Sequence, residues 1–276
     1  MKYTSALYLF CLCLVALSTA HSRQWNYDYE GYNISVTGRP NVHGVSVLVT
    51  KNHSAVEPAQ KDIILERFYK SLAHKNHTCP DSRTQIITFA PNVNKLEQNV
   101  TNTVYQFAQS KNWYTVALLV ENATRDNFLD YASCPNLVAL FYDGDADTQF
   151  ITTYDLPVSH IDIGQLQWNY NVTTYWLACQ AFNPPMLDAV TAAQPRRWAA
   201  GRNDLQVGPS DRAAAHAMIQ AINGSCLAES FDIEARKYDQ ILDIWGYGGY
   251  GPNMLVNDER YPMPCGGTEL RAGKGP

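Results

Sequence analysis

The strongest constraint on the fold is a regular alternation of apolar runs and amphipathic segments between residues 43 and 222. The runs have the length and the β-branched or aromatic content of strands, and in the segments between them apolar residues recur every three or four positions, as in helices. Near-continuous apolar strands that alternate with helices are typical of a mainly parallel sheet covered on both faces. The sequence therefore predicts an α/β three-layer sandwich, with strands at 43–50, 84–90, 114–121, 136–144, 173–180 and 196–201 and helices at 62–74, 96–111, 124–132, 186–193 and 211–222.

The amino terminus has the features of a secretory signal peptide. Lys2 precedes the apolar stretch "ALYLFCLCLVAL", which ends at the small residues "STA". This pattern predicts a signal peptide over residues 1–20, cleaved after Ala20. No later segment approaches the 18 uninterrupted apolar residues that a membrane span needs, so we expect a protein without a membrane span in the extracellular space or the secretory lumen.

Composition divides the remaining chain into three parts. Residues 21–42 are polar and aromatic and are predicted to form an extended N-terminal segment. Residues 43–239 form the predicted α/β domain. Residues 240–276 are rich in Gly, Tyr and Pro, which is typical of irregular coil, and we expect a C-terminal segment without regular structure.

Sequons for N-glycosylation are frequent along the whole chain. Seven Asn-x-Ser/Thr motifs occur, and none has proline at the middle position. Such a number favours a glycoprotein of the secretory pathway. The candidate glycosylation sites are Asn33, Asn52, Asn76, Asn99, Asn122, Asn171 and Asn223.

Five of the seven cysteines remain once the signal peptide is removed, in a compartment that favours disulfides. Counting leaves the pairing open, because five cysteines allow many sets of two pairs. Cys79, Cys134, Cys226 and Cys265 lie beside proline, glycine or polar turn residues and are the disulfide candidates. Cys179 follows an apolar run, and we predict that it stays outside the disulfides.

The charge of the chain narrows the class of partner. A formal net charge of −5 offers no basic surface for nucleic acid. We therefore expect the partner to be a protein or peptide of unknown identity. The sequence leaves the oligomeric state open.

Two loops that follow predicted strands contain the candidate chemistry. They read "FYDGDADT" (141–148) and "LACQAF" (177–182). In a doubly wound sheet the loops at the carboxyl ends of neighbouring strands lie side by side and form the functional site. We therefore expect these two loops to be neighbours.

These loops, together with the short helix after "ENAT", resemble the caspase-, legumain- and gingipain-type cysteine peptidases and their CHAT-domain relatives. The resemblance covers residues 43–235 and implies a caspase-like three-layer sandwich. It also implies that Cys179 matches the nucleophile and Gly144 the glycine of the oxyanion-side turn. The catalytic histidine of the family does not carry over, because Asp145 stands at its position.

An aspartate in place of the catalytic base changes the expected chemistry. A thiol needs a base or a cationic neighbour to become a nucleophile, and a carboxylate disfavours the thiolate by like-charge repulsion. The sequence thus predicts a degenerate, non-catalytic member. His160, in "LPVSHIDIG", is the candidate replacement base, whereas His43 and His216 are interpreted as strand-edge and helix-surface residues.

The acidic turn offers a second chemistry. Asp143, Asp145 and Asp147 alternate as in the first half of an EF-hand loop, but Thr148 and Tyr154 stand where that loop needs Gly and Glu. We therefore predict no cofactor and interpret the turn as solvated. A looser Ca²⁺ site formed by the three carboxylates is the alternative.

Three functions remain open on the sequence. The first is a secreted, N-glycosylated, non-catalytic protein of degenerate caspase/legumain-like fold that acts by binding. The second is an active extracellular cysteine peptidase that uses Cys179. The third is an extracellular ligand-binding α/β glycoprotein of unrelated fold, in which Cys179 only packs.

Overall fold

The structure is a computed structural model that describes residues 23–39, 42–73, 76–92, 94–168, 172–181, 183–193, 197–201, 209–223 and 245–247. Several predicted features lie outside the described residues. These are the signal peptide, Asn171, Cys226, Cys265 and all but three residues of the 240–276 segment.

Residues 24–55 form a four-stranded antiparallel sheet. Its strands are β1 (Gln24–Tyr29), β2 (Tyr32–Gly38), β3 (Val45–Lys51) and β4 (Ser54–Ala55), in that spatial order. The β1–β2 and β3–β4 connections are two-residue turns, in which Glu30–Gly31 and Asn52–His53 all have positive φ. Such turns match the twist of the flanking strands.

The β3 strand differs from its prediction in position. The sequence predicts residues 43–50 as the first strand of the main sheet and 21–42 as a separate extended segment. In the structure β3 pairs along its length with β2, with Ile34 opposite Val49 and Val36 opposite Val47. The reason is that these side chains pack a separate core with Phe68 of the following helix.

The rest of the chain alternates helices and strands. In order they are α1 (Pro58–Leu72), β5 (Ile86–Ala90), α2 (Lys95–Ser110), β6 (Thr115–Leu119), α3 (Arg125–Ala132), β7 (Ala139–Asp143), β8 (Phe150–Ile151), β9 (Val158–Ser159), α4 (His160–Gln165), β10 (Thr173–Leu177), α5 (Met186–Ala192), β11 (Arg197–Gly201), α6 (Pro209–Ile222) and β12 (Trp245–Tyr247). Asn94 and Thr124 cap the first turns of α2 and α3 with their side chains, because an N-terminal turn leaves backbone amides without helical partners.

The main sheet has six strands in the order β12-β11-β10-β7-β5-β6, all parallel except β12. Adjacent residues of each buried strand face opposite sides of this sheet. Tyr142 and Trp176 pack in the core beneath α3, α4 and α5, whereas Phe141 and Tyr175 pack in the core beneath α2 and α6. The predicted α/β sandwich with a mainly parallel sheet is confirmed.

No helix within the described ranges combines the length and the apolar character needed to cross a membrane.

Candidate functional site

The carboxyl ends of β5, β7 and β10 meet at one edge of the main sheet, because these strands are parallel neighbours. The loop after β7 therefore lies beside the loop after β10, and the Gly144 amide donates to the carbonyl of Leu177 over 3.1 Å. The segment before β3 joins them. The carbonyl of His43 accepts hydrogen bonds from the amides of Cys179 (2.6 Å) and Ala146 (3.4 Å).

Cys179 is completely buried at the end of β10. Its exposed fraction is 0%, and it lies in the core that Tyr175, Leu177 and Met218 of α6 share. It forms no disulfide. The described disulfide joins Cys79 to Cys134, two of the four predicted candidates, at the end of α3.

Gly144 is required by close packing in the turn after β7. A Cβ atom at this position would lie 2.7 Å from the Tyr142 hydroxyl and 3.1 Å from Cδ of Pro91, closer than side chains tolerate. The same hydroxyl lies 2.9 Å from the carbonyl oxygens of Asp145 and Thr152. The turn is therefore fixed by packing and by its own hydrogen bonds.

Asp145, at the position that the family resemblance assigns to the catalytic histidine, is also buried. Its carboxylate accepts a hydrogen bond from the Asn92 side chain over 3.2 Å, and a Cβ at Gly38 would lie 3.1 Å from the same oxygen. Burial raises the pKa of Asp145 to about 6, although attraction to His43 and the Asn92 hydrogen bond act in the opposite direction.

His43, whose backbone carbonyl contacts the amide of Cys179, has a ring that faces carboxyl groups. Its Nε2 lies 3.1 Å from Oδ1 of Asp211 on α6, and its Nδ1 lies 3.9 Å from Oε1 of Glu97 and from Oδ1 of Asp143. Burial lowers the pKa of His43, but the charges of Asp211 and Glu97 outweigh burial and raise it to about 9. The surrounding carboxyl groups therefore favour the protonated form of the ring.

The carboxyl groups around this ring are equally enclosed. Burial raises the pKa of Glu97 to about 8, against the attraction of His43. Burial and the neighbouring carboxylates raise the pKa of Asp143 well above its usual range, and Thr101 Oγ1 lies 3.5 Å from Asp143 Oδ2. We call this group the buried charge cluster; it consists of His43, Glu97, Asp143, Asp145 and Asp211, none more than 8% exposed.

His160 lies at the start of α4. Its ring contacts the carbonyl of Gln149 (3.1 Å), the carboxylate of Glu66 (3.4 Å) and the ring of Tyr69. None of the contacts described for this ring involves Cys179. The capping box of Ser159 and Asp162 begins α4 at His160, and the contacts with Glu66 and Tyr69 place the ring against α1.

Asp147 acts within its own turn. Its carboxylate accepts hydrogen bonds from the amides of Gln149 (2.7 Å) and Phe150 (3.1 Å). Within the described chain, His43, Asp143 and Asp211 form a group that could hold a metal ion. Asp143 is the one member that this group shares with the Ca²⁺ site considered from the sequence.

We expect Asp147→Asn to remove a pH-dependent loss of stability. Burial raises the pKa of Asp147 to about 6, although the amides of Gln149 and Phe150 and the charges of Lys61 and His160 oppose it. The folded state thus holds this proton more tightly, so the contribution to stability is complete below about pH 4 and is lost as the pH rises through about 6.

Asparagine keeps the acceptor oxygen of the turn and carries no charge. The variant should be about 1–2 kcal/mol more stable than the wild type at pH 7, a figure reduced because the side chain is partly exposed, and equal to it at pH 4. Urea denaturation at the two pH values measures this. The same difference at both pH values would show that the charge of Asp147 is not its cause.

The sequence analysis did not assign Glu97, Asp211 or His43 to a functional site. For Glu97 and Asp211 the helical pattern contains a signal that could have done so. Glu97 precedes Val104 by seven residues and lies on the buried stripe of α2. Asp211 precedes Met218 by seven and is buried on α6. A carboxyl group on an apolar helical stripe indicates a buried polar site. His43 left no such signal in the sequence.

Comparison with solved structures finds a distant similarity to gingipain. The crystal structure of the Arg-specific cysteine proteinase gingipain R is similar with a TM-score of 0.46 and 13% identity, over 67% of this chain and 49% of that one. The complex of pro- and mature domains of Porphyromonas gingivalis RgpB gives 0.46 and 12%, over 67% and 50%. The chain thus spans about half the length of these proteins. Neither a family model nor a curated protein matches.

Proposed function

We propose that the protein is a secreted, N-glycosylated member of the caspase-like cysteine peptidase fold that does not hydrolyse peptides and acts by binding a protein or peptide. The observation that carries this proposal is the burial of Cys179, whose exposed fraction is 0%. A nucleophile must reach the scissile carbonyl, and a thiol enclosed in the core between β10 and α6 cannot do so.

The contacts of the two candidate imidazoles support the same conclusion. A catalytic histidine must come within hydrogen-bond reach of the thiol that it activates. The His43 ring instead faces carboxyl groups, with its Nε2 3.1 Å from Oδ1 of Asp211. His160 is occupied by Glu66 and Gln149.

The amides that could stabilise an oxyanion are also engaged. Acyl transfer requires backbone N–H groups aimed at the developing negative charge. The amides of Cys179 and Ala146 donate to the carbonyl of His43, and the amide of Gly144 donates to Leu177. Three candidate donors at the strand ends are therefore used within the fold.

Features of the surface support secretion and glycosylation. The Cys79–Cys134 disulfide is typical of oxidising compartments. Among the sequons within the described ranges, Asn33 is half-buried and the others are exposed at Asn52, Asn76, Asn99, Asn122 and Asn223. Release into the medium of cultured eukaryotic cells, with a loss of mass on treatment with peptide N-glycosidase, tests this part.

Peptide hydrolysis tests the absence of catalysis. Wild-type protein and the Cys179→Ala variant are each incubated with a complex peptide mixture between pH 5 and 8, and new termini are identified by mass spectrometry. We expect identical digests. Cleavage that the wild type performs and Cys179→Ala does not would refute the proposal, and His160→Ala then shows whether that histidine takes part.

The competing function is a cysteine hydrolase that uses His43 as its base. The observation in its favour is the 2.6 Å hydrogen bond that joins the backbones of His43 and Cys179. It requires His43 to leave Asp211 and the loops at the sheet edge to open. In the peptide assay this alternative predicts cleavage that both Cys179→Ala and His43→Gln abolish.

A further inference from the structure

We infer that the buried charge cluster is a binding site for one divalent first-row metal ion, with His43, Asp143 and Asp211 as ligands and Glu97 beside them. This inference goes beyond the proposed function and does not depend on it, because it rests on the geometry of the cluster and its test measures metal binding and not peptide cleavage.

The first observation in support of a metal site is the position of the His43, Asp143 and Asp211 side chains. One ligand atom from each of His43, Asp143 and Asp211 lies within 4.8 Å of the others, and all three side chains are 0% exposed. Ligands about 2.0–2.2 Å from a common ion lie up to about 4 Å apart, so small side-chain movements suffice to close the shell. The three residues come from different parts of the chain, namely the segment before β3, the end of β7 and the first turn of α6.

Unsatisfied polar atoms at the same place are the second, independent observation. Within the described residues, Nδ1 of His43, Oδ1 of Asp143 and Oε2 of Glu97 are buried without a hydrogen-bond partner. Buried polar atoms in folded proteins are almost always satisfied, and exceptions require an explanation such as an ion. Nδ1 of His43 lies 3.9 Å from carboxylate oxygens of both Glu97 and Asp143, which is too far for a hydrogen bond.

The balance of charge points the same way. The cluster contains four carboxyl groups and one imidazole, and Arg39 is the additional cation that acts on Asp145. Carboxyl groups thus outnumber cationic side chains in a space closed to solvent. Buried carboxyl groups are stable when they are protonated, paired or bound to a metal, and a divalent cation would take the place of the protons that these groups hold in its absence.

The donor set selects the kind of metal. Imidazole nitrogen with carboxylate oxygens suits Zn²⁺ and other first-row ions, whereas Ca²⁺ takes six to eight oxygen ligands and Mg²⁺ keeps several waters. We therefore assign the site to a first-row ion, with Zn²⁺ as the probe, in place of the Ca²⁺ considered from the sequence.

Calorimetric titration of the full secreted protein tests the site after dialysis against a chelator. We expect one equivalent of Zn²⁺ per chain, bound at least about 100-fold more tightly than Ca²⁺. Asp143→Asn and Asp211→Asn should each weaken Zn²⁺ binding at least about 100-fold. Asp147→Asn, the same change at a partly exposed carboxylate outside the cluster, should leave Zn²⁺ binding unchanged.

Several results would overturn the inference. They are the absence of saturable Zn²⁺ binding, binding that survives in both cluster variants, and tighter binding of Ca²⁺ than of Zn²⁺.

If the variants fail to fold, the X-ray absorption spectrum of the zinc-loaded wild type decides. We expect nitrogen and oxygen ligands with an imidazole contribution, and sulfur in the shell would contradict the assignment by placing a cysteine there. The peptide assay tests whether Cys179 is catalytic, and the titration tests metal binding. Either proposal can therefore be refuted without the other.

Discussion

Replacing Arg125 with methionine is expected to lower the free energy of unfolding by about 3–5 kcal/mol, because it leaves a buried carboxylate without its partner. Arg125 is 2% exposed, and its Nη2 lies 2.6 Å from Oδ1 of Asp162 and 2.9 Å from the carbonyl of Leu72. One guanidinium thus connects the start of α3, the first turn of α4 and the end of α1. Urea denaturation at pH 7 measures the loss.

Two further variants separate the buried pair from surface charge. Asp126 lies 3.5 Å from the other guanidinium nitrogen but is 48% exposed, so Asp126→Asn should change stability by less than about 0.5 kcal/mol. The double variant Arg125→Met/Asp162→Asn should lose less than Arg125→Met alone, since no charge remains buried and asparagine keeps an acceptor for Ser159. An Arg125→Met variant within about 1 kcal/mol of the wild type would contradict the account.

Removing the Cys79–Cys134 disulfide is the second change with a large expected effect. The bridge spans 55 residues, and a cross-link of that span restricts the unfolded chain by about 4 kcal/mol. The double variant Cys79→Ala/Cys134→Ala should therefore lose about 4 kcal/mol, which lowers the Tm by roughly 8–16 °C for a chain of this size. Scanning calorimetry with urea denaturation measures both quantities.

Cys179→Ala is the matched control for the disulfide variant. It also removes a buried sulfur, but no cross-link, and should cost about 1 kcal/mol. A disulfide variant that is no less stable than this control would mean that the bridge contributes little beyond its packing.

Much of the main sheet could be predicted from sequence because its strands are apolar on both faces. The runs at 136–144 and 173–180 predicted β7 and β10, which the structure places at Ala139–Asp143 and Thr173–Leu177. The buried helices α2 and α6 left equally clear periodic patterns. The partner of β3 could not be predicted, because a single apolar run indicates a strand but not the sheet that it joins.

The candidate site was less accessible to sequence reasoning than the fold. The loops after β7 and β10 were predicted as neighbours, and the structure brings them together through the carbonyl of His43. His43 itself lies more than 130 residues from Cys179 in sequence, and hydrogen bonds to its carbonyl from Cys179 and Ala146 hold it there. Its meeting with Asp211 depends on tertiary packing that no local pattern records.

Native-state alkylation of Cys179 tests the central claim most directly. The secreted protein is treated with iodoacetamide at pH 7.5 with and without urea, and labelling of the peptide that contains Cys179 is followed by mass spectrometry. We expect no labelling of the native protein over the time in which the unfolded protein reacts completely, because the thiol is enclosed in the core. Rapid labelling in the native state would contradict the account, since it would show an accessible thiolate and support a working cysteine hydrolase.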